Sequence, residues 1–239
     1  MANKVIIIGA TSGIGLELAK LYIKNGDMVG VTGRRNELLL KLQLQFPAQV
    51  VTECFDVRGN ENILHLESLI KKLGGLDILI YNSGVGDISK ELDWQLDKQT
   101  TQTNVNGFIE IVNYTFNYFA KQGHGQIAGV SSLASIRGNS HAPAYSASKA
   151  FMSVYMEGLH IKAGKMKLNI TVTDIQPGFI NTKLAKGNKQ FWVAPVEKAA
   201  KQIFNAIRKK KRRAYITRRW IIIAWILKWI PYTIYKRFA

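Results

Sequence analysis

The chain has a single cysteine, Cys54, among 239 residues. An intrachain disulfide is therefore excluded, and a reducing compartment is expected, with the thiol buried among apolar side chains. Acid is scarce too: 16 Asp and Glu stand against 33 Lys and Arg, a formal net charge of +17. No apolar run reaches the roughly 20 residues that a membrane-spanning helix needs. Its nearest approach, Trp220 to Ile230, is eleven residues long, interrupted by Lys228 and ended by Pro231. The start, MANKVIIIGA, lacks the long apolar segment and small-residue cleavage site of a secretory signal, so a cytoplasmic location is expected. There is no internal repeat, no low-complexity segment and no metal-binding motif.

What is present suits one large α/β domain with a well-buried core. The positive charge is concentrated at the end: residues 196–239 hold 13 Lys or Arg and one acid, Glu197, and so supply +12 of the total. Lys4 to Ile8 is a continuous apolar run after its first residue, as expected of a strand buried on both faces of a parallel sheet. It ends in Gly9-Ala-Thr-Ser-Gly13-Ile-Gly15 and then a helical stretch closed by Gly26. A strand, a glycine turn and a helix N-terminus are the parts that receive a pyrophosphate, because backbone N–H groups and the helix dipole point at the anion. The spacing is G-x-x-x-G-x-G, and a dinucleotide site is the stronger reading over a mere strand-to-helix turn.

A second strand, Met28 to Thr32, is followed by Gly33-Arg34-Arg35. An acid at this strand's end would bind the adenosine 2′-hydroxyl, whereas an arginine accepts a 2′-phosphate. Two arginines and no acid favour NADP over NAD. Further strands are expected at 49–55, 77–81, 126–130, 168–175 and 214–217, with helices at 36–45, 61–73, 93–120, from Pro143 to about 164, and 196–210. Such alternation implies βαβ units: a doubly wound, Rossmann-type, mostly parallel seven-stranded sheet with helices on both faces. The domain is set at 1–217, with a basic, aromatic tail at 218–239. In such sheets ligands lie at the carboxyl ends of the strands, where Gly9, Arg34, Asp56, Asn82 and Ser132 all fall. Asn104-Val-Asn-Gly107 interrupts the long helical region and predicts a kink there, sparing a carbonyl or an amide for another use.

The stretch Ser131 to Lys149 places Ser132 on a loop and then Tyr145 and Lys149 four residues apart on one helical face. Alone, Tyr-x-x-x-Lys is a common solvated pair; here it sits in a dinucleotide-binding context. A lysine charge about 5 Å from the phenol, at an effective dielectric near 20, would favour the phenolate by ~3 kcal/mol, about two pKa units. Ser132 could donate to the same substrate oxygen, which makes the group a carbonyl/alcohol site.

The ordered set of motifs resembles the short-chain dehydrogenase/reductase family over residues 1 to about 217. The resemblance is carried by the glycine turn 9–15, Asp56, Asn82-Ser83-Gly84, Asn104, Ser132, Tyr145-x-x-x-Lys149 and Pro177-Gly178. Two departures are Ile8 where the family usually has Thr, and Ser83 within the usual Asn-Ala-Gly. The resemblance implies NAD(P)-dependent hydride transfer at a carbonyl carbon. Tyr145 would be the general acid, Ser132 would polarise the carbonyl, and Lys149 would lower the tyrosine pKa and bind the nicotinamide ribose. Asn104 would hold a water linking Lys149 to solvent. The cofactor would also meet Gly9, Thr11, Ser12, Gly13, Ile14, Gly15, Arg34, Arg35, Asp56, Val57, Asn82, Ser83, Gly84, Pro177, Gly178, Ile180 and Thr182, with Asp56 and Val57 at the adenine and Thr182 at the nicotinamide amide.

Residues 183–195 read as a short lid containing Phe191 and Trp192; with Phe179, Leu133 and Ile136 these are candidate pocket walls. In the tail, WIIIAWILKWIPYTIYKRF would be apolar on every side of a helix, so some other surface must cover it. Aromatic residues with cationic neighbours suit the headgroup boundary of an anionic membrane, and an oligomer interface is the competing reading. The overall expectation is an NADPH-dependent ketone or aldehyde reductase, homo-oligomeric as a dimer or tetramer, with a lipid-like 3-keto substrate. The rivals are a general carbonyl reductase and a non-catalytic NADPH-binding protein. Nucleic-acid binding is not expected, because no recognition motif accompanies the basic run.

Overall fold

The computed structural model describes residues 2–88, 91–182 and 191–238. Seven parallel strands form one sheet: β1 (Lys4–Ile8), β2 (Met28–Gly33), β3 (Val50–Cys54), β4 (Ile78–Tyr81), β5 (His124–Val130), β6 (Asn169–Pro177) and β7 (Arg213–Ile216), in the order β3-β2-β1-β4-β5-β6-β7. The order reverses between β1 and β4, which makes their carboxyl ends the crevice of a doubly wound sheet. The pleat sorts the core. Val5 and Ile7 of β1 face α1 (Gly13–Lys24), α2 (Asn36–Gln45) and α7 (Val196–Arg208), while Ile6 and Ile8 face α3 (Asn62–Leu73), α5 (Gly107–Gln122) and α6 (Pro143–Lys165). Helices therefore cover both faces, as the apolar strand runs require.

The expected interruption of the long helical region takes the form of a π turn. After α4 (Trp94–Thr101), a π turn over Gln102–Asn106 joins to α5. The Tyr81 hydroxyl donates to the carbonyl of Thr103 within it at 2.7 Å. One expectation is corrected: Cys54 is exposed. It closes β3, the outermost strand, which has a neighbour on one side only.

The tail forms α8 (Trp220–Trp229) and a short α9 (Tyr232–Tyr235) and folds back onto the body. Trp220 and Ala224 are buried with Leu133, flanked by Ile136, Tyr215, Ile223 and Leu227. The Arg137 guanidinium caps the end of α8, its Nε donating to the Leu227 carbonyl at 2.9 Å and its Nη2 to that of Ile230. The Tyr235 hydroxyl donates to the Gly138 carbonyl at 2.6 Å, with Arg137 over the Tyr235 ring. The tail thus braces the loop that follows β5. Of the expected lid, residues 183–190 lie outside the described residues.

Candidate active site

The glycine turn lies between β1 and α1. Ser12 precedes α1 with extended backbone and makes no capping bond, and the first turn holds no acid. Its N–H groups and the positive end of its dipole are therefore available to an anion. Gly13 adopts φ +59, and its open side faces the Thr182 methyl, so the turn and the segment after β6 confront one another across this gap. Asn82 Nδ2 donates to the Gly9 carbonyl at 2.7 Å, and Ser83 lies against Gly9, tying the end of β4 to the turn. Ile14 packs partly buried on the core beside this turn, and a Cβ on Gly15 would collide with the Gly9 carbonyl.

At the ends of β2 and β3 stand three arginines. Arg35 reaches back over the turn, its Nη2 donating to Thr11 Oγ1 at 2.6 Å and to Ser12 Oγ at 2.7 Å. Arg34 is 3.7 Å from Asp56 and largely exposed. Arg58, which the sequence reading missed, grips the Asp56 carboxylate through Nε at 3.0 Å and Nη2 at 2.5 Å. These bonds to Arg58 hold the Asp56 carboxyl below its ordinary range. Arg58 N also donates to Asp56 Oδ1, an i to i+2 turn that Asp-x-Arg could have signalled. One acid among three guanidiniums leaves this corner positive. Val57 is buried, its carbonyl directed at Gly107 on α5.

Tyr145 and Lys149 arise from the first two turns of α6, whose Pro143 occupies the start where a missing N–H is harmless. The Ser132 hydroxyl is near enough to the Tyr145 phenol to lower its pKa. Ser132 Oγ also accepts from Ala134 N at 3.1 Å, which fixes the hydroxyl at the head of a 3₁₀ turn, Leu133–Ser135. Lys149 is buried, its Nζ 5.8 Å from the Tyr145 ring centre and donating to the Val130 carbonyl at 2.9 Å. A Cβ on Gly84 would stand 3.0 Å from the same Nζ. Asn104 is fully buried; its Oδ1 accepts from Val85 N at 2.9 Å, and its Nδ2 donates to the Val85 carbonyl at 2.7 Å and to Ser148 Oγ at 2.9 Å. Its side chain thus clamps the strand-end loop to α6, and the π turn around it is what frees main-chain groups there. Pro177 ends β6, Gly178 N donates to the Ile216 carbonyl, and Ile180 is buried.

The expected lowering of the Tyr145 pKa is not found. Burial raises the phenol above its ordinary value, only partly opposed by the bond from Ser132. Burial lowers Lys149 to about 8, opposed by the charge of Asp174. The reason is that loss of water around each group disfavours its charged form. Asp174 itself is buried, accepting from Ser131 Oγ at 2.5 Å, Ser153 Oγ at 2.7 Å, Gln176 Nε2 at 2.7 Å and Arg213 Nε at 3.2 Å. Sequence inspection did not single it out, because an acid within a strand shows no motif.

A protonated phenol beside a serine hydroxyl and a lysine that titrates near neutrality can hold a carbonyl oxygen and give it a proton. As pH rises, Lys149 loses its charge first while Tyr145 stays protonated. A fall in kcat/KM for reduction, beginning near pH 8, is therefore expected from Lys149, since kcat/KM reports the free enzyme. Asp174→Asn should move that limb to lower pH, because the anion that supports the lysine charge is gone. A limb unmoved in the variant would disconnect Asp174 from the site.

The sequence profile described as short chain dehydrogenase matches residues 3–191. This chain belongs to the short-chain dehydrogenase/reductase family. It is 33% identical over 189 residues to an uncharacterized oxidoreductase of Myxococcus xanthus, covering 77% of this chain and 74% of that one. It is 27% identical over 177 residues to a probable NADP-dependent dehydrogenase of Haemophilus influenzae, covering 72% and 69%. In fold it matches a short-chain dehydrogenase from Streptomyces avermitilis with a TM-score of 0.82 at 22% identity, covering 95% and 92%. As a member of this family the protein is an oxidoreductase of the NAD(P)-dependent type.

Proposed function

We propose that the protein is an NADPH-dependent reductase of ketones or aldehydes. The observation that carries the reading is the buried Lys149 ammonium 5.8 Å from the Tyr145 ring, with Ser132 beside the phenol, at the carboxyl end of the sheet and next to the glycine turn. The turn fits a dinucleotide: Gly9 to Gly15 and the bare N-terminus of α1 would hold the pyrophosphate, and Thr182 with Ile180 the nicotinamide end. Bound NADPH would supply the hydride. The chain's own part is to fix and protonate the oxygen. Ser132 donates to the carbonyl oxygen, and Tyr145, kept as a phenol by burial, gives that oxygen its proton. Lys149 supports the charge left on the phenolate, and the main chain at Asn104 offers a route for reprotonation.

The preference for NADPH rests on the excess of guanidinium at the β2 and β3 ends, where a 2′-phosphate would find Arg34 exposed and Arg35 and Arg58 beside it; the name of the Haemophilus influenzae relative is in keeping. A charge-assisted bond to phosphate is worth ~1.5–3 kcal/mol, so Arg34→Ala should weaken NADPH binding about 10- to 100-fold and leave NADH nearly unchanged. Titration of both cofactors checks this, and an equal loss for both would remove Arg34 from phosphate recognition.

The substrate reading is a bulky, apolar, lipid-like ketone, with a general carbonyl reductase as the alternative. Phe179, Phe191 and Trp192 lie around Trp220 at the edge of the site, each still between 36% and 48% exposed, and an apolar ligand would cover them. Assembly into a homo-oligomer is in keeping with the outer face of α6, where Val154 and Ile161, seven residues apart, are exposed. Sedimentation velocity reads it directly, and a monomer at all concentrations would end that part of the reading.

A further inference from the structure

The tail presents a face that its own body does not use. On α8, Trp220, Ile223, Ala224 and Leu227 turn inward at i, i+3, i+4 and i+7, against Leu133 and Tyr215. Ile221, Ile222, Trp225, Ile226 and Trp229 turn outward and are 42–73% exposed. Tyr232, Ile234 and Phe238 extend the same apolar surface beyond the helix. A helix apolar on both sides needs a second covering surface, and a contiguous exposed patch of this kind marks an interaction site.

We propose that the outward face of α8 together with α9 docks on the surface of an anionic lipid bilayer. The charge around the patch selects this occupant. Arg218 and Arg219, the latter stacked on Trp192, precede the helix, Lys228 lies within it and Lys236 and Arg237 follow it, all exposed, and no carboxylate side chain occurs after Glu197. A second copy packed face to face would bring two such sets of cations together with no acid from either tail to answer them. Anionic headgroups neutralise the set while the acyl boundary receives the apolar side chains. Trp225, Trp229 and Tyr232 are the residue types that lie at that boundary, with an apolar ring body and a polar tip. Lying on the surface, and not crossing it, is what the length allows: ten residues of helix span roughly 15 Å, half a hydrocarbon core. Of the more distant basic run, Arg212 and Arg213 are already paired, both with Glu157 and Arg213 also with Asp174.

Docking by this face has a geometric consequence. Arg137 ties the end of α8 to the loop after Ser132, and Trp220 at its start lies on Gly178, so the helix that meets the lipid also borders the candidate site. The docking itself does not depend on the reaction class.

The test uses the purified full-length protein, co-sedimented with vesicles of phosphatidylcholine alone or mixed with phosphatidylglycerol. Wild type should sediment with the mixed vesicles and not with phosphatidylcholine alone, and added salt should release it. Trp225→Glu, at a position 65% exposed, should weaken binding by about tenfold or more with an unchanged melting temperature. Lys236→Gln combined with Arg237→Gln, which alters no apolar contact, should weaken it as well. Wild type that ignores both vesicle types would overturn the proposal. So would variants that bind as wild type does, or a dimer that Trp225→Glu splits while vesicles are not bound.

Discussion

Tyr145→Phe should lower kcat for carbonyl reduction by about 10²- to 10⁴-fold, the range contributed by one positioned proton donor. The substitution removes an oxygen and nothing else. Tyr145 stands on the first turn of α6 with its ring against Gly86, so the Phe ring keeps that packing. The variant should therefore fold and bind NADPH as wild type does, and its loss should appear in kcat, with the cofactor dissociation constant little changed. Burial is the reason the effect is large: the site holds the phenol protonated and ready to donate. A biological activity that survives the change intact would favour the rival in which the chain only binds NADPH and engages a partner.

Trp220→Ala should cost ~3–5 kcal/mol of stability and lower the melting temperature by roughly 6–20 °C, which a thermal unfolding scan reads. Trp220 is 2% exposed, and its ring centre lies 5.1–5.8 Å from those of Phe179, Phe191 and Trp192. A Cβ on Gly178 would overlap its indole, so the ring occupies the space beside the turn after β6 that only glycine leaves. The loss should extend beyond stability, because the ring holds the turn after β6 and the loop bearing Leu133 together, and kcat/KM should fall with it. Trp220→Phe is the control. Its indole N–H is buried without a partner among the described residues, so removing that donor while keeping an aromatic ring should be far milder than Ala. Equal effects of Ala and Phe would mean that the ring's packing is not what matters.

The strands and the glycine turn were legible because buried parallel strands leave continuous apolar runs and a tight turn leaves glycines. The Asn104 to Gly107 interruption, read as a kink or as spared main-chain groups, falls where the π turn lies, since poor helix formers mark it. Four features were not legible. Cys54 gave no sign of exposure, because its place on the sheet's edge follows from strand order and not from its neighbours in sequence. Asp174 and Arg58 act through partners that only the fold supplies: Ser131, Ser153 and Gln176 for the first, the Asp56 carboxylate for the second. The Tyr145 pKa was misjudged because helical spacing reports the distance to Lys149 but not the loss of water around both. Spacing along the chain shows which groups meet; burial decides their charge.

The central claim is that this site transfers hydride from NADPH to a carbonyl carbon. The direct measurement incubates the full-length protein with deuterium-labelled NADPH and a series of 3-oxo compounds of increasing chain length in mixed micelles, followed by mass spectrometry of the products. Alcohols bearing deuterium on the former carbonyl carbon are expected, with kcat/KM rising about fourfold per added methylene until the pocket is full, from ~0.8 kcal/mol per buried CH₂. Short and long ketones reduced equally well would leave a general carbonyl reductase. NADPH bound tightly, with no deuterated alcohol from any ketone, would contradict the account.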